Sequence, residues 1–99
     1  MKIEISDKAL QWFQDEVGLE QGDSVRFFTQ IYGSSPIQEG YALAFTIDHD
    51  TSDAVVPTVS DGITFFINDA DLWFFKGHDL YVEYNEALDE VEYDYKKGE

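Results

Sequence analysis

Cysteine is absent from this 99-residue sequence, which excludes disulfide bridges, thiolate nucleophiles and metal or iron–sulfur sites with cysteine ligands. We therefore expect no cofactor. Long apolar runs are absent too: no segment approaches the roughly 18 consecutive apolar residues of a membrane span, and the first residues lack the apolar stretch of a signal peptide. These absences predict a cytoplasmic protein that has no membrane partner.

Basic residues are scarce, since six lysines and arginines stand against 21 aspartates and glutamates and give a formal net charge of −15. This charge repels phosphate groups and anionic lipids over about 8 Å at physiological salt, so we expect no nucleic-acid partner. It suits a basic protein, a metal cation or solubility alone. The acidic residues within 83–94 fit either a contact with a basic protein or a charged edge strand.

Apolar and aromatic residues are plentiful enough for a core, at 43% and 16% of the chain, and the length favours one domain over residues 1–99. The helical spacing of apolar residues predicts a helix over 7–17, and a short inserted helix is predicted over 69–77. Alternating apolar residues predict strands at 2–5, 24–32, 41–47, 63–67, 80–84 and 91–95.

Residues 48–62 are predicted to be a polar connector, because Pro57 limits strand pairing around Val55 and Val56. The crossover helices of a doubly wound α/β fold are missing from the pattern. The prediction is therefore an α+β fold with a strand-rich mixed or antiparallel sheet, curled into a partial barrel, with one N-terminal helix and one short inserted helix.

Several short motifs follow one another in the order found in a known family. They are ISDKAL at residues 5–10, Gly33-Ser34-Ser35 after a strand, Tyr41-x-Leu43-x-Phe45, and a later run of Gly62-Ile63, Ile67, Leu72, Gly77 and Leu80. Together these features resemble the HesB/IscA family of A-type iron–sulfur carriers over nearly the whole chain. The resemblance implies a HesB-like fold and a link to iron–sulfur cluster or iron metabolism.

The cluster ligands of that family are missing here. Its members have a cysteine after the glycine of the first loop and Cys-Gly-Cys near the C-terminus, whereas Ser34 occupies the first position and the terminal pair is absent. A serine hydroxyl is a hard ligand with a high pKa and does not replace a thiolate. The resemblance therefore implies a non-enzymatic accessory or protein-interaction module that cannot bind a cluster through cysteine.

The segment LWFF at residues 72–75 places three large aromatic side chains on one short helix, more than a narrow face can bury. It either lies within the core or forms part of a protein contact. We predict that Trp73 and Phe74, together with Tyr32 and Tyr41 of the loop between two strands, contact an unidentified protein partner. The sequence leaves open whether the chain also forms a homo-oligomer.

A group of metal-ligand types provides an alternative function. Four neighbouring residues form it: Asp48, His49, Asp50 and Asp53. Their carboxylate and imidazole groups are ligands for a divalent cation or a small ligand. The same residues also suit a solvated turn at the end of a strand.

A hydrolase is the remaining alternative. His78, oriented by Asp79, would activate Ser34 or Ser35 as the nucleophile. No Gly-x-Ser-x-Gly turn accompanies the serines, and such a turn is what exposes the nucleophile in many hydrolases. We therefore predict no catalytic residues.

Overall fold

The computed structural model describes residues 1–98, which form two mixed β-sheets, an N-terminal helix and a short 3₁₀ helix. The strands are β1 (Ile3–Ile5), β2 (Ser24–Gln30), β3 (Ala42–Ile47), β4 (Ala54–Ser60), β5 (Ile63–Asn68), β6 (His78–Asn85) and β7 (Glu90–Lys97). Helix α1 (Asp7–Trp12) continues into a π-helical segment (Phe13–Val17), and the 3₁₀ helix (Asp69–Phe75) joins β5 to β6. The α+β class is therefore confirmed.

The N-terminal helix follows the local signals of its sequence. Ser6 has an extended backbone, and its Oγ accepts a hydrogen bond of 3.1 Å from the N–H of Ala9, which caps the helix. Gly18 ends it with a left-handed φ of 80°. Ala9 and Phe13 are buried, so the predicted helix over 7–17 is confirmed. The helices described within residues 1–98 lack the length and apolar character needed to cross a membrane.

The strands divide into two open sheets and close no barrel within residues 1–98. In the first sheet β6 lies between β1, which is parallel to it, and β7, which is antiparallel. The second sheet has the order β3-β2-β5-β4, with β2 and β5 parallel and both outer pairs antiparallel. The two sheets meet in the core, where Phe27 of β2 lies with its ring centroid 5.8 Å from that of Tyr93 on β7.

The prediction of a polar connector over residues 48–62 is wrong, because β4 occupies much of that segment. This strand pairs with β5 from Ala54 to Ser60, and the register shifts between Val55 and Thr58. Pro57 falls inside the shift, where its missing N–H removes no regular ladder bond. Val56 takes a left-handed φ of 52° at the same bulge. The bulge thus accommodates Pro57, the residue from which the sequence predicted that no strand would form here.

Candidate functional site

Four exposed apolar side chains and the partly buried Tyr41 lie in the loop between β2 and β3 and on the 3₁₀ helix. We call this group the aromatic corner: Ile31, Tyr32, Tyr41, Leu72 and Trp73. Ile31 and Tyr32 are 69% and 78% exposed, and Trp73 is 51% exposed. The predicted strand over 24–32 ends at Gln30, so both residues after it lie in the loop. Tyr41 directly precedes β3, whose Ala42 pairs with Gln30, and therefore lies at the same end of the sheet.

Trp73 is half exposed yet held in place by two other rings. Its ring centroid lies 5.2 Å from that of Tyr41 at an interplanar angle of 83°, and 6.2 Å from that of Phe74 at 82°. Both are edge-to-face arrangements, the geometry that aromatic pairs prefer. A side chain already fixed in this way loses little conformational entropy on binding. Trp73 is therefore well suited to anchor a protein contact.

Phe74 lies on the other side of the same short helix and is completely buried. Its ring packs against Phe75 and Tyr95, with centroid distances of 5.2 and 5.9 Å. The side chain is therefore inaccessible to a partner, although the sequence predicted Phe74 to be a contact residue. It supports Trp73 from within the core.

Polar groups fix the 3₁₀ helix to the strands around it. Asp71 accepts a hydrogen bond from the N–H of Thr29 on β2, with an N···O distance of 3.3 Å. At the other end, His78 Nδ1 lies 2.8 Å from the carbonyl oxygen of Phe75. A carbonyl oxygen only accepts, so this nitrogen carries the proton and donates. The aromatic corner is thus built on a helix tied to both sheets.

Two residues of the hydrolase alternative, Ser35 and His78, are engaged in local hydrogen bonds. Ser35 Oγ donates to the carbonyl oxygen of Gln38 at 3.2 Å and accepts from its N–H at 3.1 Å. His78 donates to Phe75 as described above. Ser34, at the position where the HesB/IscA family has cysteine, is exposed on the loop. The bonds of Ser35 close the loop onto Gln38, and the bond of His78 caps the end of the 3₁₀ helix.

The four residues of the metal alternative lie in a turn after β3 and do not converge on one point. Asp48 accepts from Arg26 Nε and from the N–H of Asp50, each at 2.9 Å. His49 Nε2 lies 3.3 Å from Oδ1 of Asp23, which belongs to a different loop. Among residues 1–98 no group of three or more histidine, aspartate or glutamate side chains is arranged to hold a metal ion. Metal binding stays a prediction.

Asp50 and Asp53, the remaining members of this group, form separate hydrogen bonds. Asp50 Oδ1 accepts from the N–H and the Oγ of Ser52, at 3.1 and 2.5 Å. The carbonyl oxygen of Asp53 accepts from the N–H of Asp69 at 3.1 Å. The bonds between Asp50 and Ser52 are the local bonds of an Asx turn, whereas the Asp53 bond joins the backbone at the start of β4 to that at the start of the 3₁₀ helix.

Acid should weaken the fold through this turn. The N–H of Asp50, followed by Arg26, holds the pKa of Asp48 below its usual value of 3.8. A carboxyl with a lowered folded-state pKa stabilises the protein above its unfolded pKa, and this contribution is lost as the pH falls through the folded pKa. As the pH is lowered below about 4, the free energy of unfolding measured by urea titration should fall less for Asp48→Asn than for the parent. Asp94→Asn, which removes one exposed carboxylate from β7, is the charge-matched control, and equal acid sensitivity of the two variants would contradict this role.

A groove between the N-terminal helix and the β6–β7 hairpin was not predicted from the sequence. Its volume is about 320 Å³, and eight residues line it: Lys8, Gln11, Trp12, Asp15, Glu16, Tyr84, Glu86 and Asp89. Trp12 Nε1 donates to the carbonyl oxygen of Asp89 at 2.9 Å, and Tyr84 Oη donates to its Oδ1 at 2.6 Å. The hydrogen bond from Tyr84 to the Asp89 carboxylate raises the pKa of Tyr84 to about 12. The groove's polar groups thus join helix to hairpin, a pairing of distant segments that no local pattern reveals.

Comparison with known proteins identifies full-length relatives. The chain is 44% identical over 96 residues to a Bacillus subtilis (strain 168) protein named pyruvate dehydrogenase inhibitor, covering 97% of this chain and 100% of the relative. It is 34% identical over 95 residues to an uncharacterised protein of Staphylococcus saprophyticus, covering 94% and 97% of the two chains. An uncharacterised Staphylococcus aureus protein is 30% identical over 98 residues, covering 97% and 100%. No family model matches the chain.

These relatives correct the resemblance to the HesB/IscA carriers. The Bacillus subtilis relative is named pyruvate dehydrogenase inhibitor, and nothing in the comparisons points to a HesB-like protein or to iron–sulfur metabolism. The predicted family and the predicted link to iron metabolism are therefore wrong. The motifs behind them consist of turn glycines and serines together with apolar strand and helix residues, which recur in unrelated proteins with similar local structure. This chain belongs to the family of the Bacillus subtilis pyruvate dehydrogenase inhibitor.

Proposed function

We propose that this protein inhibits pyruvate dehydrogenase by binding to it. The observation that carries the proposal is the 44% identity to the Bacillus subtilis inhibitor over 97% of this chain and all of the relative. An alignment of this extent includes every element of the fold, so the two chains have the same elements from which to build a contact. An inhibitor of this kind acts by association, which fits a regulatory role without catalysis.

The contact surface in this proposal is the aromatic corner. Among residues 1–98, eight large hydrophobic side chains are exposed, and half of them belong to this one region: Ile31, Tyr32, Leu72 and Trp73. Concentrated apolar exposure of this kind marks interaction sites, whereas single exposed residues are common on any protein. Tryptophan and tyrosine are also the residues most often found at the energetic centre of protein interfaces.

The direct test is an inhibition assay with purified components. Adding this protein to pyruvate dehydrogenase should lower the enzyme's activity in proportion to occupancy, and calorimetry on the same samples should detect binding with a matching midpoint. A second dehydrogenase assayed by the same readout controls for interference with detection. Full pyruvate dehydrogenase activity at a large excess of this protein would refute the proposal.

A further inference from the structure

We infer that the aromatic corner receives a cationic side chain, an arginine or lysine surrounded by apolar residues, on the protein that it binds. The inference rests on the proposed function for the identity of that protein. Recognition of a cation by the rings of the corner is independent of that identity and depends only on the residues described below.

The rings of the corner are suited to a cation, and no cation from residues 1–98 occupies them. The indole is the strongest aromatic receptor for ammonium and guanidinium groups, and Trp73 is half exposed. Elsewhere the chain uses its own cations in this way: Arg26 Cζ lies 5.3 Å from the ring centroid of Phe28, and Lys96 Nζ lies 4.3 Å from that of Tyr81. None of the cation–ring pairs found in residues 1–98 involves the corner.

The charges around the corner favour a basic partner. Asp69 and Asp71 lie on the same 3₁₀ helix as Trp73, and Glu39 lies two residues before Tyr41. Lys76, directly after the helix, is the basic residue nearest to Trp73 in the sequence. The whole chain carries a formal charge of −15, so a basic surface is attracted and an acidic one is repelled. An arginine or lysine side chain makes cation–π contact with the rings and is attracted by the carboxylates.

Indole NMR tests the chemistry without any partner protein. The two tryptophans give two ¹⁵N-indole signals, and Trp73→Phe assigns the signal of Trp73. On titration with N-acetylarginine methylamide, we expect the Trp73 signal to shift at least about threefold more than with the uncharged citrulline analogue. The Trp12 indole, which donates to Asp89, should barely move. Equal shifts with the two compounds, or none, would overturn the inference.

Charge reversal tests the same inference on the enzyme. Asp69→Lys and Glu39→Lys should each weaken binding to pyruvate dehydrogenase by about tenfold, mainly through slower association, and the loss should shrink at high salt. Glu90→Lys, an equal charge change on β7 of the other sheet, is the matched control. If the parent inhibits and all three variants inhibit as well as the parent does, the cationic partner is refuted while the proposed function stands. If the parent does not inhibit, the proposed function fails, and the NMR titration still decides the inference.

Discussion

Replacing Trp73 with alanine should weaken inhibition of pyruvate dehydrogenase by about 30-fold or more, which corresponds to a loss of about 2 kcal/mol in binding free energy. The indole combines large exposed area with a fixed orientation, because Tyr41 and Phe74 hold it edge to face. Removing it deletes the anchor and also leaves Tyr41 without its ring partner. The measurement is the inhibition midpoint of the variant beside that of the parent.

Two matched variants separate the loss of an anchor from a general loss of apolar surface. Val59 on β4 and Leu88 in the hairpin before β7 are 66% and 65% exposed. Val59→Ala and Leu88→Ala should therefore inhibit like the parent. Trp73→Phe keeps an aromatic ring and should retain part of the activity. If Trp73→Ala is folded in urea titration and inhibits as well as the parent, the aromatic corner is not the contact surface.

Replacing Phe65 with alanine should lower the free energy of unfolding by about 3–5 kcal/mol. Phe65 is completely buried in β5, which lies between β2 and β4 in the second sheet. Its ring centroid is 5.2 Å from that of Phe13 and 6.1 Å from that of Phe27. The substitution therefore opens a cavity where the N-terminal helix meets the second sheet. Urea denaturation followed by circular dichroism measures the loss.

The size of this effect requires a milder companion variant. Domains of this length are stable by about 5–15 kcal/mol, so Phe65→Ala can unfold the protein outright. Phe65→Leu preserves most of the apolar volume and should fold with a smaller loss. Val59→Ala removes apolar atoms from an exposed site and should change stability by less than about 0.5 kcal/mol. A loss of similar size in Phe65→Ala and Val59→Ala would contradict the described core.

The regular elements were largely predictable because their signals are local. Ser6 caps the helix that Gly18 ends, and both residues lie next to the turns that they shape. Strand β4 was not predictable in the same way, since Pro57 interrupts the run of strand-forming residues around it and disfavours a strand when only nearby residues are considered. Pairing with β5 stabilises that segment, and the bulge removes the conflict with the proline.

The candidate contact surface was only partly predictable, as Trp73 and Phe74 show. The two residues are adjacent, and the sequence assigned both to a partner contact. In the structure Trp73 is exposed and Phe74 is buried against Tyr95 of β7. Which of them is covered depends on a strand about 20 residues further along the chain, and periodicity within a short helix carries no information about that strand.

The sequence by itself determined the chemistry that this protein lacks, its strong negative charge and the positions of most helices and strands. Those properties depend on composition or on neighbouring residues. Only the tertiary structure decided that Asp48, His49 and Asp50 bond to separate partners and that Tyr41 and Trp73 meet at an exposed corner. Burial and side-chain contacts are set by segments far apart in the chain, because long-range packing brings those segments together and determines which surfaces remain in water.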